Sequence, residues 1–332
     1  MYIVNSYPLA IAFCFITMLC WGSWANTQKL TTKSWRFELF YWDYGFGILL
    51  CTLLLAFTLG SNGSEGRAFL PDIEQADMAN LLSAFTGGVI FNLANILLVA
   101  AIAIAGMSVA FPVGIGIALV LGVVLNYISN PQGNPVLIFG GVALIVFAIL
   151  LNARAYQKLQ TSLSGIVSKK GLILSIISGC LMGLFYKYVA VSMVADFSIP
   201  EAGKLTPYTA LVVFAVGVVI SSFLFNYIQM KHPFIDKPVP FRDYFTGKSK
   251  DHLVGIAGGA IWSIGMSLSI IASGKAGPAI SYGLGQGATV VAALWGIYIW
   301  KEFAKAPKGT KPLLNLMLLL YIAGLAMLII SK

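Results

Sequence analysis

The sequence predicts an all-α integral membrane protein of ten transmembrane helices, arranged as two inverted five-helix repeats. Three observations carry this. Of 332 residues, 58% are hydrophobic and only 10% charged, with a mean hydropathy of +0.87, whereas soluble domains carry about 25% charged residues. The apolar residues fall in continuous blocks long enough to cross a bilayer, which takes about 20 residues at 1.5 Å each. The chain also matches itself after a shift of 171 residues. Lipid offers backbone N–H and C=O no partners, so spanning blocks are helices or closed barrels. Continuous rather than alternating runs exclude a barrel.

Taken in order, polar breaks separate blocks at 7–26, 39–59, 79–100, 107–128 and 135–151, then at 171–193, 206–228, 253–272, 277–299 and 312–330. The expected organisation is a first repeat over 1–151, a cytoplasmic linker over 152–170 and a second repeat over 171–332. The segment before the first block lacks the basic residues of a signal peptide, so that block is expected to be a retained helix. Cys14, Cys20, Cys51 and Cys180 all lie inside apolar blocks with no CxxC spacing. They read as small buried hydrophobes, with no metal site and no disulfide framework.

The formal net charge is +9. In a soluble chain this would point to nucleic acid; here most of the basic residues collect in the loops after blocks 1, 5, 7 and 9. Cytoplasmic loops concentrate Lys and Arg, so both termini are expected outside and the central loop inside a cell inner (plasma) membrane.

Shifted by 171 residues, Gly87-Gly88 meets Gly258-Gly259, Phe91 meets Trp262, Ala105-Gly106 meets Ala276-Gly277, Gly114 and Gly116 meet Gly285 and Gly287, and Tyr127-Ile128 meets Tyr298-Ile299. Five spans is an odd number, so duplication inverts the unit, as in many secondary transporters that rock around a midplane site. The glycines have two readings, close helix packing and local unwinding near substrate. Unwinding is best placed at Pro112–Gly116 and at Tyr282–Gly287, where polar Gln286 sits deep in a span.

Several short motifs resemble a known family: Trp21-Gly22-Ser23-Trp24, Trp42-Asp43-Tyr44, Thr58-Leu59-Gly60, Gly87-Gly88 with Asn95, Leu125-Asn126-Tyr127, and Trp295-Gly296-Ile297 with Glu302, after an opening Met1-Tyr2. The pattern is similar to the ureide permeases of plants and bacteria, within the drug/metabolite transporter superfamily, which also holds glucose/ribose porters and rhamnose–proton symporters. The resemblance implies ten helices, a central cavity and proton-coupled uptake of neutral polar solutes such as allantoin, uracil or sugars. Plant members carry a long central loop with a phosphate-loop-like motif. Here that loop is short and lacks G-x-x-x-x-G-K, so the resemblance implies an ion gradient as the energy source.

Charged groups inside spans are few, and each costs about 2.5–3.5 kcal/mol at mid-membrane. Asp43 lies roughly 6–8 Å beyond Glu38 from the inner end of its span. A carboxyl there could take up and release a proton during a cycle, or serve as a hydrated structural acceptor. Asp43 is the first choice for proton coupling, with Glu38 beside it and also suited to an interfacial pair with Arg36. Lys187 either snorkels to the outer headgroups or reaches the cavity. Asn92 and Asn95 share a helix face, and their amides suit a ureide or sugar, or helix–helix bonding. Trp21, Trp24 and Trp262 are candidates to stack on a planar heterocycle or sugar face. With Gln286 these complete the substrate-site candidates. His232 and His252 read as loop residues without a role.

No catalytic, cofactor or metal constellation is visible, so an enzyme is not expected. The expected activity is secondary transport of a small neutral polar solute, ureide- or nucleobase-like first. A monosaccharide porter and a drug or metabolite exporter are the alternatives. Expected partners are the solute and membrane lipid, not nucleic acid, and the oligomeric state is open.

Overall fold

The computed structural model describes all residues except 106, 161–167, 302 and 305, and within helices omits the side chains of 107–109, 111, 112 and 160. Gly106 of the repeat, Glu302 of the resemblance and part of the expected linker therefore lie outside the described residues.

The chain is helical throughout its spans: α1 (Tyr7–Ser23), α2 (Phe37–Phe57), a short α3 (Phe69–Gln75), α4 (Met78–Ala105), α5 (Met107–Ser129), α6 (Pro135–Gln160), α7 (Lys169–Ser192), α8 (Pro207–Lys231), a short α9 (Arg242–Phe245), α10 (Ser249–Ala276), α11 (Pro278–Gly285), α12 (Ala288–Leu294) and α13 (Thr310–Ile329). Among the described residues, nine helices are long and apolar enough to cross a membrane, and α5 contributes a further apolar helix. The protein is a multi-pass integral membrane protein.

Local sequence explains the ends of these elements. Prolines open α1 and α8, where a missing N–H costs nothing. Gly277, at φ +85°, turns the chain between α10 and Pro278 of α11, a conformation that only glycine takes without strain. Residues 152–160 contain neither glycine nor proline, and α6 simply continues through them to Gln160.

Helix α4 packs against α7 and α8, α10 against α1 and α2, α5 against α7, and α6 against α13. Two of these contacts are reciprocal. Between α4 and α8, a Cβ on Gly88 would run into the Phe214 carbonyl, and one on Gly217 into the Phe85 carbonyl. Between α10 and α2, a Cβ on Gly259 would run into the Tyr44 carbonyl, and one on Gly47 into the Ile256 carbonyl. Each pair brings two backbones to a spacing that only glycine allows, as membrane helices commonly do. Gly88 and Gly259 are partners in the 171-residue shift, as are Phe85 and Ile256.

Aromatic side chains fill the centre. Trp262 stacks near Phe214 (centroids 5.9 Å) and lies 4.2 Å from Phe91, which meets Phe185 at 5.2 Å. Such pairs contribute about 0.5–1.5 kcal/mol each beyond their burial. At the end away from the basic loops, Asp72 of α3 is fully buried and accepts from Arg67 at 3.1 Å and from the Thr206 N–H at 2.8 Å.

Candidate functional site

Five of the expected substrate residues are brought together. Trp21, Trp24, Asn95, Trp262 and Gln286 line one cavity of about 630 Å³, a volume suited to a small solute. Its floor is the aromatic cluster of Phe91, Phe185 and Trp262, and its walls run outward past Lys29, Lys33 and Tyr156. Ala25, Lys29 and Lys33 are exposed, so the cavity opens on the face that carries the basic loops.

The floor is apolar and aromatic. Trp21 and Trp262 lie nearly parallel, with centroids 6.0 Å apart and 12° between planes, and the Trp21 indole N–H donates to the Trp262 carbonyl at 3.3 Å. Beside it, Asn95 donates to the Tyr41 hydroxyl at 3.2 Å, which fixes the amide's orientation. Gln286 sits where the ninth span breaks. The Gly287, Thr289 and Val290 N–H groups each bond three residues back rather than four, so the helix tightens there and α11 ends. Farther along, the turn Trp295–Ile299 widens to a π-helix. Such irregular turns are tolerated at membrane depth where they line a cavity. The equivalent region of α5 runs as unbroken helix through 112–116.

The mouth is held by polar clips. Residues Trp24–Leu30 form a 3₁₀ turn after α1; the Thr27 and Thr31 hydroxyls each donate to the carbonyl three residues back at 2.6 Å. Asn26 accepts from the Trp300 indole at 2.7 Å and Ser23 from the Trp295 indole at 2.8 Å. Asp251 accepts from both the Thr32 N–H and its hydroxyl at 2.8 Å.

The other candidates lie elsewhere. Asn92 is buried between α4 and α8, donating to Ser221 at 2.8 Å and Ser222 at 3.2 Å, and is not on the cavity wall. Lys187 is half-buried and also off the wall. Glu38 forms an ion pair with Arg36 at 2.6 Å. Asp43, 2% exposed, accepts from the Tyr244 hydroxyl at 2.6 Å and lies 3.0 Å from His252 Nδ1 through either oxygen. Burial, followed by the hydrogen bond to Asp43, pushes the Tyr244 phenol well above its ordinary range, so it stays a donor. His252 was expected in a loop without a role. It stands instead in the first turn of α10, where the helix begins at Ser249.

Two further groups escape a sequence reading. The indole N–H of Trp35 and the side-chain oxygen of Asn152 are buried, pair with no protein group among the described residues, and belong to residues of the cavity wall. Buried polar atoms left without a partner cost about 1–3 kcal/mol.

A family profile described as sugar transport protein matches residues 12–330. The chain belongs to this family. Among its relatives, Ureide permease 1 of Arabidopsis thaliana is 24% identical over 391 residues, covering 100% of this chain and 99% of that protein. Ureide permease 2 of the same plant is 23% identical over 396 residues, with the same coverage. Probable ureide permease A3 of Vigna unguiculata is 30% identical over 155 residues, 45% of this chain. A crystal structure that is 14% identical superposes with a TM-score of 0.59 over 96% of this chain and 95% of that chain, a likeness of fold. The plant alignments are longer than this 332-residue chain, so these plant relatives carry inserted sequence. The protein is a membrane transporter of small solutes, in keeping with relatives that are named permeases.

Proposed function

We propose that the protein is a secondary active transporter that takes up a small neutral polar solute, ureide- or nucleobase-like, together with a proton. The observation that carries this reading is the cavity itself. An aromatic floor that includes Trp262, with the nearly parallel ring of Trp21 beside it, is bordered by the amides of Asn95 and Gln286. A planar ring stacks on such a floor while its carbonyl and N–H groups meet donors and acceptors at the rim. The wall offers no carboxylate to a cationic solute among its described residues. Ureide permeases among the relatives favour the ureide class. The family's description favours a second reading, a monosaccharide, whose ring would use the same floor and amides.

The site lies in the inner (plasma) membrane with basic loops toward the cytoplasm and both termini outside, so the cavity described here opens inward. The reciprocal glycine interlocks of α4–α8 and α10–α2 support a duplicated, inverted unit, a build suited to alternating access. Asp43 is the carboxyl assigned to proton coupling.

The test is uptake into liposomes under an imposed pH gradient, comparing radiolabelled allantoin, uracil, ribose and glucose. Gradient-driven accumulation of allantoin or uracil supports the first reading, and of ribose or glucose the second. If all four stay at the level of empty liposomes with folded protein, the uptake reading fails.

A further inference from the structure

Asp43 is enclosed. Its side chain is 3% exposed, against 25% for that of His252, and Gly255 presses on its Cβ, where a Cβ on the glycine would sit 2.5 Å away. Both carboxylate oxygens face His252 Nδ1, and one also accepts from Tyr244. The other titratable and charged groups around the histidine are committed or point outward. Asp251, next along α10, is held by Thr32, and Glu38, five residues before Asp43 on α2, is paired with Arg36. From the α9 side, Arg242 is exposed, as is Lys248 before α10. Tyr244 donates and holds its proton. Among the described residues, His252 is thus the one group in contact with Asp43 that can accept a proton and also reaches solvent.

We infer that His252 is the proton exit of the transporter, carrying a proton between Asp43 and the solution on the basic face. This rests on the proton-coupled reading of the preceding section. In the step, protonated Asp43 gives its proton to Nδ1 of a neutral His252, leaving a carboxylate and an imidazolium. The imidazolium then loses its Nε2 proton to bulk water, so one proton leaves and the ring keeps the one it received; a ring flip or exchange through water returns a free nitrogen to Asp43 for the next cycle. A carboxylate beside it stabilises the imidazolium in transit.

The relay is also next to the solute route. The Trp35 ring meets His252 edge-on, with centroids 4.8 Å apart, and lies 6.1 Å from Tyr244, and the same tryptophan is part of the cavity wall. Gly247 closes over both rings: a Cβ there would collide with the Trp35 indole and come within 2.8 Å of His252 Nε2. Trp35 therefore separates proton from solute while touching both, which lets the state of one be felt by the other.

The chain has two histidines, His232 and His252, which makes the relay directly observable. Protein with ring-¹⁵N-labelled histidine is placed in nanodiscs, using His232→Gln to leave a single signal. The expected result is a His252 resonance that titrates, with a midpoint displaced by about one pH unit or more in Asp43→Asn and displaced again in Tyr244→Phe. A midpoint that ignores both substitutions overturns the relay, whether or not any solute is transported. The second arm measures allantoin in liposomes. With His252→Gln, gradient-driven accumulation is expected to fall at least tenfold, to passive equilibration, while exchange of labelled for unlabelled allantoin continues because it needs no net proton movement. Accumulation with the wild-type pH profile in His252→Gln overturns the proposal. Absence of allantoin movement in the wild type counts against the solute reading instead, and the resonance arm then decides the relay alone.

Discussion

Asp43 and His252 are 209 residues apart in the chain and 3.0 Å apart in the fold. Their contact ties α2 to α10, the same two helices that Gly47 and Gly259 interlock. The pair therefore sits on a close helix–helix seam rather than on a loop, and its geometry responds to anything that shifts that seam.

Gly255→Ala tests this without replacing a titratable group. The new methyl would lie 2.5 Å from Asp43 Cβ and close to the Phe40 carbonyl, so α2 and α10 must move apart. Overpacking of this kind costs about 1–3 kcal/mol. The expected outcome is a lower Tm together with weakened proton-driven accumulation. A variant with lower Tm and unaltered accumulation would separate the seam from coupling.

The aromatic floor predicts a change in affinity. Trp262→Ala removes the ring that Trp21, Phe91 and Phe214 all contact and is expected to cost about 1–2 kcal/mol of solute binding, roughly a tenfold rise in KM. Trp21→Phe keeps an aromatic face and loses only the N–H bond to the Trp262 carbonyl, so its KM is expected to rise less. Equal effects from the two substitutions would argue that the floor is structural. Initial uptake rates against solute concentration settle the point.

The spans were legible because hydropathy over twenty residues is a strong signal in lipid, and the turn at Gln286 because a polar amide between Gly285 and Gly287 has little else to do in a span. The relay was only half legible. Asp43 stood out as a charge in an apolar block, whereas His252 follows Lys248, Lys250 and Asp251 and reads as part of a solvated loop. Its partner is visible only once α10 is laid against α2. Trp35 and Asn152 were hidden for a related reason: both fall just outside apolar blocks, and their unpaired polar atoms are a property of packing. Asn92 and Asn95 share a face by spacing, yet α8 lies along the Asn92 side and takes that amide for Ser221 and Ser222.

Glycines at close seams and glycines at open positions should respond oppositely to a methyl group. Gly259→Ala drives a Cβ into the Tyr44 carbonyl, whereas Gly116 in α5 has nothing within 4 Å of its Cβ position. In the helix interior alanine is preferred to glycine by about 0.5–1 kcal/mol. Gly116→Ala is expected to hold or raise Tm in detergent, and Gly259→Ala to lower it by several degrees. A drop for Gly116→Ala would mean that another conformation uses the space beside it.

Asp72 anchors the end opposite the cavity mouth, and three substitutions in its pair with Arg67 should rank by what each leaves unpaired. Asp72→Ala strands the Thr206 N–H at the start of α8 and removes the Arg67 counter-charge, leaving the guanidinium only its Glu201 carbonyl contact, a loss of about 3 kcal/mol. Arg67 is 20% exposed in its side chain, so Arg67→Ala lets water reach the carboxylate and leaves the Thr206 bond intact; a loss of about 1–2 kcal/mol is expected. Asp72→Asn keeps an oxygen for the Thr206 N–H but turns an NH2 toward the Arg67 and Gln75 donors, which places it between the other two. The order of Tm values in detergent should be Arg67→Ala highest, Asp72→Asn next and Asp72→Ala lowest. If Asp72→Ala proved as stable as Arg67→Ala, the ion pair would be the main contribution and the N-cap bond to α8 would carry little, since losing the pair is all that those two variants share.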